Sequence, residues 1–159
     1  MDINEIKLLF GNQLTYFDKV ANPSINEIGV PAIVLNKYIP YYEENSDITF
    51  FSKSNILNLF LGIDKKNGNI VCFSKEFHTC SFVNSNYEAF IKVNFINEMF
   101  RKYCIPNAVY GAYYDNTPEG GNFEKYANAL EKLIKEIDER ATKEGVWLSL
   151  IEEMKLGVI

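Results

Sequence analysis

Hydrophobic residues in the middle of the chain follow the spacing of β-strands. Residues 56–63 are almost continuously apolar over the length of a strand, which is typical of a central strand covered on both faces. A turn over residues 64–69, with Gly68 at its tip, and a returning strand over 70–73 complete a predicted β-hairpin. A further extended piece is expected around residues 81–83.

The next stretch predicts a helix that lies deep against the sheet. Ser85 and Glu88 have the S-x-x-E spacing of a capping box, in which each side chain satisfies the other residue's backbone amide. Apolar residues then recur at helical spacing through Tyr103, so a wide face of this helix is expected to be buried. Ile105 and Pro106 end it, because proline disfavours a helical conformation in the residue before it.

Two more helices are predicted later in the sequence. Apolar residues from Phe123 to Ala141 keep i, i+3, i+4 spacing behind Asn122, a favourable capping residue. Gly145 is expected to stop this helix, and residues 147–154 form a last short helix with one apolar face. Charged residues on the other face of the long helix are interpreted as a solvated surface.

The first forty residues are less regular. Residues 2–10 combine capping-box spacing with a short apolar stripe, which predicts a first helix. Gly29 and Pro31 indicate a turn into an edge strand over residues 32–36, because proline removes a backbone donor from a sheet.

These elements predict an α+β fold in a single domain over residues 1–159. The sheet is expected to be mostly antiparallel and central, with N-terminal, middle and C-terminal helices around it. A chain of 159 residues, of which 47% are hydrophobic, is long enough to bury one core.

The composition points away from several kinds of chemistry. Three cysteines without a C-x-x-C pair do not indicate a disulfide framework or a zinc site, and His78 is the only histidine. Adjacent carboxylates such as Glu43 and Glu44 do not converge on one point, and the glycines lack a phosphate-binding frame. We therefore predict no catalytic residue, cofactor or metal ion. The alternative, an enzyme, requires a pocket that brings His78 together with Cys80 or Glu76.

The charge distribution favours a protein partner over nucleic acid. The formal net charge is −5, with both ends acidic and the middle mildly basic, whereas nucleic-acid-binding proteins normally present a basic patch. This balance suits a basic protein partner, or it only keeps the chain soluble. Residues 1–10 lack a signal-peptide pattern and no stretch is apolar enough to span a bilayer, so we expect no membrane association and a cytoplasmic location.

Two aromatic stretches are the candidate binding surfaces. Residues 38–51 contain an acidic cluster and are predicted to be a loop that becomes a strand at about Ile48, while residues 105–121 are either a strand or a binding loop. Aromatic side chains supply rigid contact area, so both stretches fit a protein interface, unless they only pack or solvate a loop. Charge reversal at the three acids of the first stretch is expected to weaken partner binding without lowering Tm. The predicted contact residues are Tyr41, Tyr42, Glu43, Glu44, Asp47, Tyr113, Tyr114 and Asp115.

Residues 28–159 also carry short motifs in a characteristic order. They are Gly29 and Pro31 in a turn, Gly62 at the end of a strand, Asp64 and Gly68 in a hairpin, Asn84 and Ser85 before a helix containing Phe90, and then Trp147 and Gly157. This order resembles the SUKH superfamily, which includes bacterial immunity proteins, Syd and yeast cell-wall assembly regulators. The resemblance is strongest to the bacterial SUKH immunity proteins, although Asn86 stands where their pattern has a second serine.

The resemblance implies a SUKH-like fold and a function in protein binding. The motif residues serve turns, a helix cap and the core, so they include no catalytic residue. What the resemblance implies is a variable surface that binds and blocks a polymorphic toxin, often a nuclease or a deaminase, delivered by a neighbouring cell. The alternatives are a regulatory scaffold of the same fold and a small-ligand or enzymatic domain. A neighbouring gene for a large secreted protein with a C-terminal toxin domain would favour the immunity protein over the scaffold.

Overall fold

Five antiparallel strands form a sheet in which neighbours in sequence are neighbours in space. The computed structural model describes residue 4 and residues 38–54, 57–103 and 123–156. The strands are β1 (Tyr38–Glu44), β2 (Ile48–Ser54), β3 (Leu59–Asp64), β4 (Ile70–Ser74) and β5 (Thr79–Asn84). They pair in the order β1-β2-β3-β4-β5, and every pair is antiparallel. The sheet is therefore a meander built from successive hairpins.

Helices cover one side of this sheet. They are α1 (Tyr87–Tyr103), α2 (Phe123–Ile137) and α3 (Gly145–Lys155), with a short 3-10 helix (Glu139–Thr142) between α2 and α3. The predicted α+β class with an antiparallel sheet is confirmed. Within the described residues, no helix combines the length and the apolar character that a membrane crossing requires.

The main core lies between these helices and one face of the sheet. Side chains alternate between faces along a strand, so Leu61 of β3 shares the helix-facing side with its partner Cys72 of β4, and Ile63 shares it with Ile70. Full burial of an aliphatic or aromatic side chain contributes about 1.5–3 kcal/mol before the cost of ordering it. Among the buried members from the helices are Phe90, Val93, Ile96, Phe100, Leu130, Leu133, Ile134, Trp147 and Ile151.

The opposite side of the sheet, which we call the aromatic face, carries a second cluster. Tyr41, Phe50, Phe60 and Phe73 form edge-on or tilted ring contacts, with centroids 5.4 to 5.9 Å apart. β-Bulges in the β1–β2 and β2–β3 pairs increase the local twist. The twist explains how Tyr41 of β1 reaches Phe60 of β3 across the strand between them. The sheet is thus curled around its aromatic face, where Phe50 and Phe60 are buried.

The hairpin predicted in the middle of the chain is confirmed. In its turn the Asp64 side chain accepts a hydrogen bond from the Lys66 amide at 2.8 Å, and Gly68 has φ of 77°, which favours glycine. β3 is the central strand, as the apolar run predicted, but it begins only at Leu59. Leu57, which belongs to the same run, is exposed.

The loop predicted before Ile48 is wrong, because residues 38–44 form β1. A bulge sets Tyr41 and Tyr42 together opposite Phe51. The extra residue interrupts the two-residue alternation that identifies a strand in a sequence. The strand is therefore stabilised by pairing with β2, which the spacing of its own hydrophobic residues does not predict.

The helix start assigned to Ser85 and Glu88 is also wrong by one residue. Asn86 is the capping residue of α1, since its side-chain oxygen accepts a hydrogen bond from the Ala89 amide at 2.8 Å. The Ser85 hydroxyl instead donates to Asp138, far along the chain. The residue by which this motif departs from the SUKH pattern thus caps the helix.

The helix predicted to continue to Ala141 ends at Ile137. Asp138 leaves the helical path where its carboxylate bonds to Asn84 at the end of β5 and to Ser85 just after it, and Ala141 is buried in the following 3-10 helix. Gly145 begins α3 rather than ending the preceding helix, and it has φ of 81°. A methyl group on Gly145 would overlap the carbonyl oxygen of Phe82, so α3 starts directly against the edge of β5.

Several predictions fall outside the described residues. They are the first helix apart from residue 4, the edge strand over residues 32–36, the cap at Asn122 and the whole stretch 105–121. The individual residues concerned are Gly29, Pro31, Tyr113, Tyr114, Asp115 and Gly157.

Candidate functional site

β1 and the turn after it contain the acid-aromatic segment, residues 41–47, that the sequence predicted as a binding surface. Each tyrosine hydroxyl in the segment donates a hydrogen bond to the glutamate two residues further along. Each glutamate also forms an ion pair with a lysine from another part of the sheet. Glu43 and Glu44 follow the bulge and pair regularly with Phe50 and Thr49, so these two glutamates, and the groups built on them, point to opposite faces of β1.

The first group, Tyr41, Glu43 and Lys75, lies on the aromatic face. Tyr41 donates to Glu43 Oε2, and Lys75 Nζ lies 3.0 Å from the same oxygen. Lys75 Nζ is also 4.2 Å from the centroid of the Phe60 ring, which is a cation–π geometry. The Tyr41 hydrogen bond and then Lys75 hold the pKa of Glu43 below its ordinary value, while the same hydrogen bond raises the pKa of Tyr41. This group ties β1 to the turn after β4.

The second group consists of Tyr42, Glu44 and Lys65. The Tyr42 hydroxyl donates to Glu44 Oε2 at 2.9 Å, and Lys65 Nζ donates both to Glu44 and, at 2.6 Å, to the Asn45 carbonyl oxygen. Lys65 and then Tyr42 lower the pKa of Glu44, and the hydrogen bond to Glu44 raises the pKa of Tyr42. This group ties β1 to the turn after β3.

The turn between β1 and β2 is held by its own side chains. Asn45 Oδ1 accepts hydrogen bonds from the amides of Asp47 at 2.9 Å and Ile48 at 2.7 Å, an Asx-type turn. The Lys65 amide donates to the Asp47 carbonyl oxygen at 2.8 Å, which joins this turn to the β3–β4 turn. The exposed Asp47 carboxylate accepts only the neighbouring Ser46 hydroxyl, at 2.8 Å, among the hydrogen bonds of the described residues.

These contacts change the expected role of the acids. The negative charges of Glu43 and Glu44 are compensated within the chain, so reversing them would set two cations against Lys75 and Lys65. Such like-charge contacts would lower Tm, contrary to the sequence-based expectation. Residues 42 and 44–47 of the segment are exposed, and the Tyr42 residue has 72% of its surface accessible. The structure therefore presents an aromatic contact more than a charged one.

The motif residues Asn84, Ser85 and Trp147 meet in one buried network around Asp138. The Asp138 carboxylate accepts hydrogen bonds from Asn84 Nδ2 at 2.9 Å, from the Ser85 amide at 2.8 Å and from the Ser85 hydroxyl at 2.8 Å. Trp147 Nε1 donates to Asn84 Oδ1 at 3.0 Å. Asn84 is fully buried and Asp138 is 5% exposed. The network joins the end of β5 to both the end of α2 and the start of α3.

No sequence pattern identifies Asp138 as the centre of this network. It lies among several acidic and basic residues at the end of a predicted helix, where a solvated charge is the ordinary interpretation. Its partners are 53 and 54 residues away, so no local pattern could have identified it. Other motif residues take the structural places expected for them: Gly68 lies in its turn, and Phe90 lies in the core.

Gly62 packs closely beneath the aromatic face. A methyl group built on it would overlap the Ile48 side chain and lie 2.9 Å from Phe50 Cδ1. Glycine at this position therefore allows β2 side chains to fold across β3, which supports the curl of the sheet.

Among the described residues, the depression that contains Cys80 does not include His78. Cys80 lines this open depression with Asp47, Asp64 and Lys65, whereas His78 is exposed in the β4–β5 turn. Partial burial, followed by the nearby Asp64 carboxylate, raises the pKa of the Cys80 thiol. A raised pKa reduces the thiolate fraction, which is the nucleophilic form.

Two exposed apolar residues were also missed as surface features. Phe77 at the tip of the β4–β5 turn is 72% exposed, and Leu57 before β3 is 56% exposed. Leu57 belongs to the apolar run that predicted a buried strand, and no sequence pattern predicted a role for Phe77. The signal that identifies Phe77 is an aromatic residue within a polar four-residue turn between two strands.

No group of three or more histidine, cysteine, aspartate or glutamate side chains within the described part of the chain is arranged to hold a metal ion. Comparison of the chain with protein-family models, with curated proteins and with solved structures gives no match.

Proposed function

We propose that this chain is an immunity protein that neutralises a cognate polymorphic bacterial toxin by forming a stoichiometric complex with it. The proposal rests on the network of Asn84, Ser85, Asp138 and Trp147. Three of these residues belong to the motifs that resemble the SUKH superfamily, and all their described polar contacts are directed inward. Motif residues whose polar groups bond to one another inside the fold stabilise that fold. This supports a function that is carried by other, exposed residues.

The acid-aromatic segment is the part of that surface that we assign to the toxin. Tyr42 is an exposed ring whose hydroxyl is fixed by Glu44, and Glu44 is fixed by Lys65. An aromatic side chain held in one orientation loses little conformational entropy on binding, which is a property of interface hot spots. The complex forms in the cytoplasm, where a delivered nuclease or deaminase would find its substrate.

Co-expression with the toxin domain encoded beside this chain tests the proposed function. The expected result is survival of cells that express both proteins and co-purification of the two in a fixed ratio. Cells that express the toxin domain with an empty vector serve as the control and should die. Death of the co-expressing cells despite soluble expression of this chain would contradict the proposal.

The Tyr42→Ala variant tests the assignment of the surface. Truncation of a well-packed aromatic anchor weakens a complex by about 2 kcal/mol, or about 30-fold in Kd. The matched control is Tyr42→Phe, which keeps the ring and removes only the hydroxyl bonded to Glu44, and it should retain most of the affinity. Equal affinities of the alanine variant and the wild type, measured by titration calorimetry, would place the interface elsewhere.

A further inference from the structure

Two turns at one end of the sheet hold their exposed apolar residues in the same way. The β2–β3 connection presents Leu57, and the β4–β5 turn presents Phe77. In each case the residue three positions earlier is a buried serine whose hydroxyl accepts a hydrogen bond from the amide of the exposed residue. Ser54 accepts from Leu57 at 2.9 Å, and Ser74 accepts from Phe77 at 3.3 Å.

The two turns are also joined to each other. The Lys75 amide donates to the Asn58 carbonyl oxygen at 3.2 Å, next to the Leu59–Ser74 pair at the ends of β3 and β4. The backbones that present Leu57 and Phe77 therefore form one hydrogen-bonded unit. Large apolar side chains on a fixed backbone resemble the anchors of a protein interface, because their backbone loses little conformational entropy when a partner binds.

The charges around this pair are balanced. Lys75 is compensated by Glu43, and Lys53 and Glu76 contribute one charge of each sign. Lys53 Nζ lies 4.8 Å from the Tyr41 ring centroid, over the aromatic face. This end of the described sheet has no net charge to match a strongly basic or acidic partner, so the complementary surface is an uncharged apolar pocket.

We propose, on the basis of the proposed function, that Leu57 and Phe77 form the apolar anchor of the complex and insert into an uncharged hydrophobic pocket of the toxin domain. The Glu43–Lys75 ion pair connects this anchor to the acid-aromatic segment of β1. The surface that binds the toxin thus extends from β1 to the β4–β5 turn, and hydrophobic burial rather than charge attraction supplies its affinity.

The test measures Kd for the toxin domain with the wild type and the variants Leu57→Ala and Phe77→Ala. Leu156→Ala is the matched control, because Leu156 is 78% exposed at the end of α3 and belongs to neither turn. We expect Phe77→Ala to raise Kd by about 30-fold and Leu57→Ala by about 10-fold, with no change for Leu156→Ala. The urea midpoint of each variant should equal that of the wild type, since the truncated side chains are exposed.

The salt dependence of the wild-type complex separates the two kinds of attraction. Between 50 and 500 mM NaCl we expect Kd to change less than about threefold, because an apolar contact is not screened. A rise in Kd of about tenfold or more would overturn the inference of an uncharged pocket, because it would mean that charge attraction stabilises the complex.

The outcomes distinguish this inference from the proposed function. If the wild type protects cells and both anchor variants bind as tightly as the wild type, the function stands and the anchor is overturned. If the wild type neither protects nor binds, the proposed function fails and the anchor fails with it. Two other results would also overturn the inference that a toxin pocket receives this anchor. They are vesicle binding, if the wild type sediments with phosphatidylserine vesicles and Phe77→Ala does not, and dimerisation, if the wild type is a dimer in analytical ultracentrifugation and Phe77→Ala is a monomer.

Discussion

Removal of the Asp138 carboxylate should destabilise the fold more than removal of any exposed acid. In Asp138→Ala three donors lose their acceptor: Asn84 Nδ2, the Ser85 amide and the Ser85 hydroxyl. Asn84 is fully buried, so its amide is left unsatisfied at a cost of about 1–3 kcal/mol. Ser85 is half-buried and each of its donors regains water, at a net cost of about 1 kcal/mol. The free energy of unfolding should fall by about 4 kcal/mol.

Urea unfolding followed by fluorescence measures this loss directly, because Trp147 is the only tryptophan and lies in the network. Glu136→Gln is the matched control: it removes an exposed carboxylate from the preceding turn and should change stability by less than about 0.5 kcal/mol. A loss below about 1 kcal/mol for Asp138→Ala would refute the assignment of Asp138 as the centre of the network.

A double-mutant cycle tests whether the network acts as one unit. Trp147→Phe removes the donor to Asn84 Oδ1 and should itself cost about 1–3 kcal/mol, measured by far-ultraviolet circular dichroism. Both changes act on Asn84, so the loss in the double variant should differ from the sum of the single losses by about 1 kcal/mol. Additive losses would mean that the two bonds are independent.

Two further predictions concern the backbone and pH. Gly145→Ala should lower the free energy of unfolding by at least about 1 kcal/mol more than Gly68→Ala does. Both glycines have positive φ, but only at Gly145 does the added methyl group overlap another backbone group. Equal losses in urea unfolding would argue against contact between α3 and β5. The lowered pKa values of Glu43 and Glu44 give stability that is present above pH 4.5 and is lost as pH falls through the folded-state values. The raised pKa values of Tyr41 and Tyr42 give stability that is present below pH 10.0 and is lost as pH rises through the folded-state values. The urea midpoint of the double Tyr→Phe variant should therefore fall less steeply at alkaline pH than that of the wild type. An unchanged decline would contradict the two hydrogen bonds.

The parts of the fold that the sequence predicted are those determined by local physics. The hairpin around Gly68 depends on turn chemistry, and the helices depend on apolar spacing over three or more turns. β1 was missed because the bulge at Tyr41 and Tyr42 breaks the alternation, and Ser85 was misassigned because its true partner is Asp138. Each error arose where a contact between distant residues overrides a local preference.

The internal contacts of the acid-aromatic segment could not be predicted from the sequence. The acid-aromatic segment is exposed at Tyr42, as expected of a contact surface. The compensation of Glu43 by Lys75 and of Glu44 by Lys65 depends on how the sheet curls, and the partners are separated by 32 and 21 residues. No rule of sequence spacing relates them. Leu57 and Phe77 could be recognised as surface features only after the strand ends were known.

The order of the strands has a consequence for how the chain folds. Every pairing in the β1–β5 sheet joins consecutive strands, so each hairpin closes over a short connection with a small loss of chain entropy. The bonds from Asp138 and Trp147 to Asn84 span 54 and 63 residues and close much longer loops. Contacts of short range form faster than contacts of long range. The sheet should therefore assemble first, and the burial of Trp147 should report the later docking of the helices onto it.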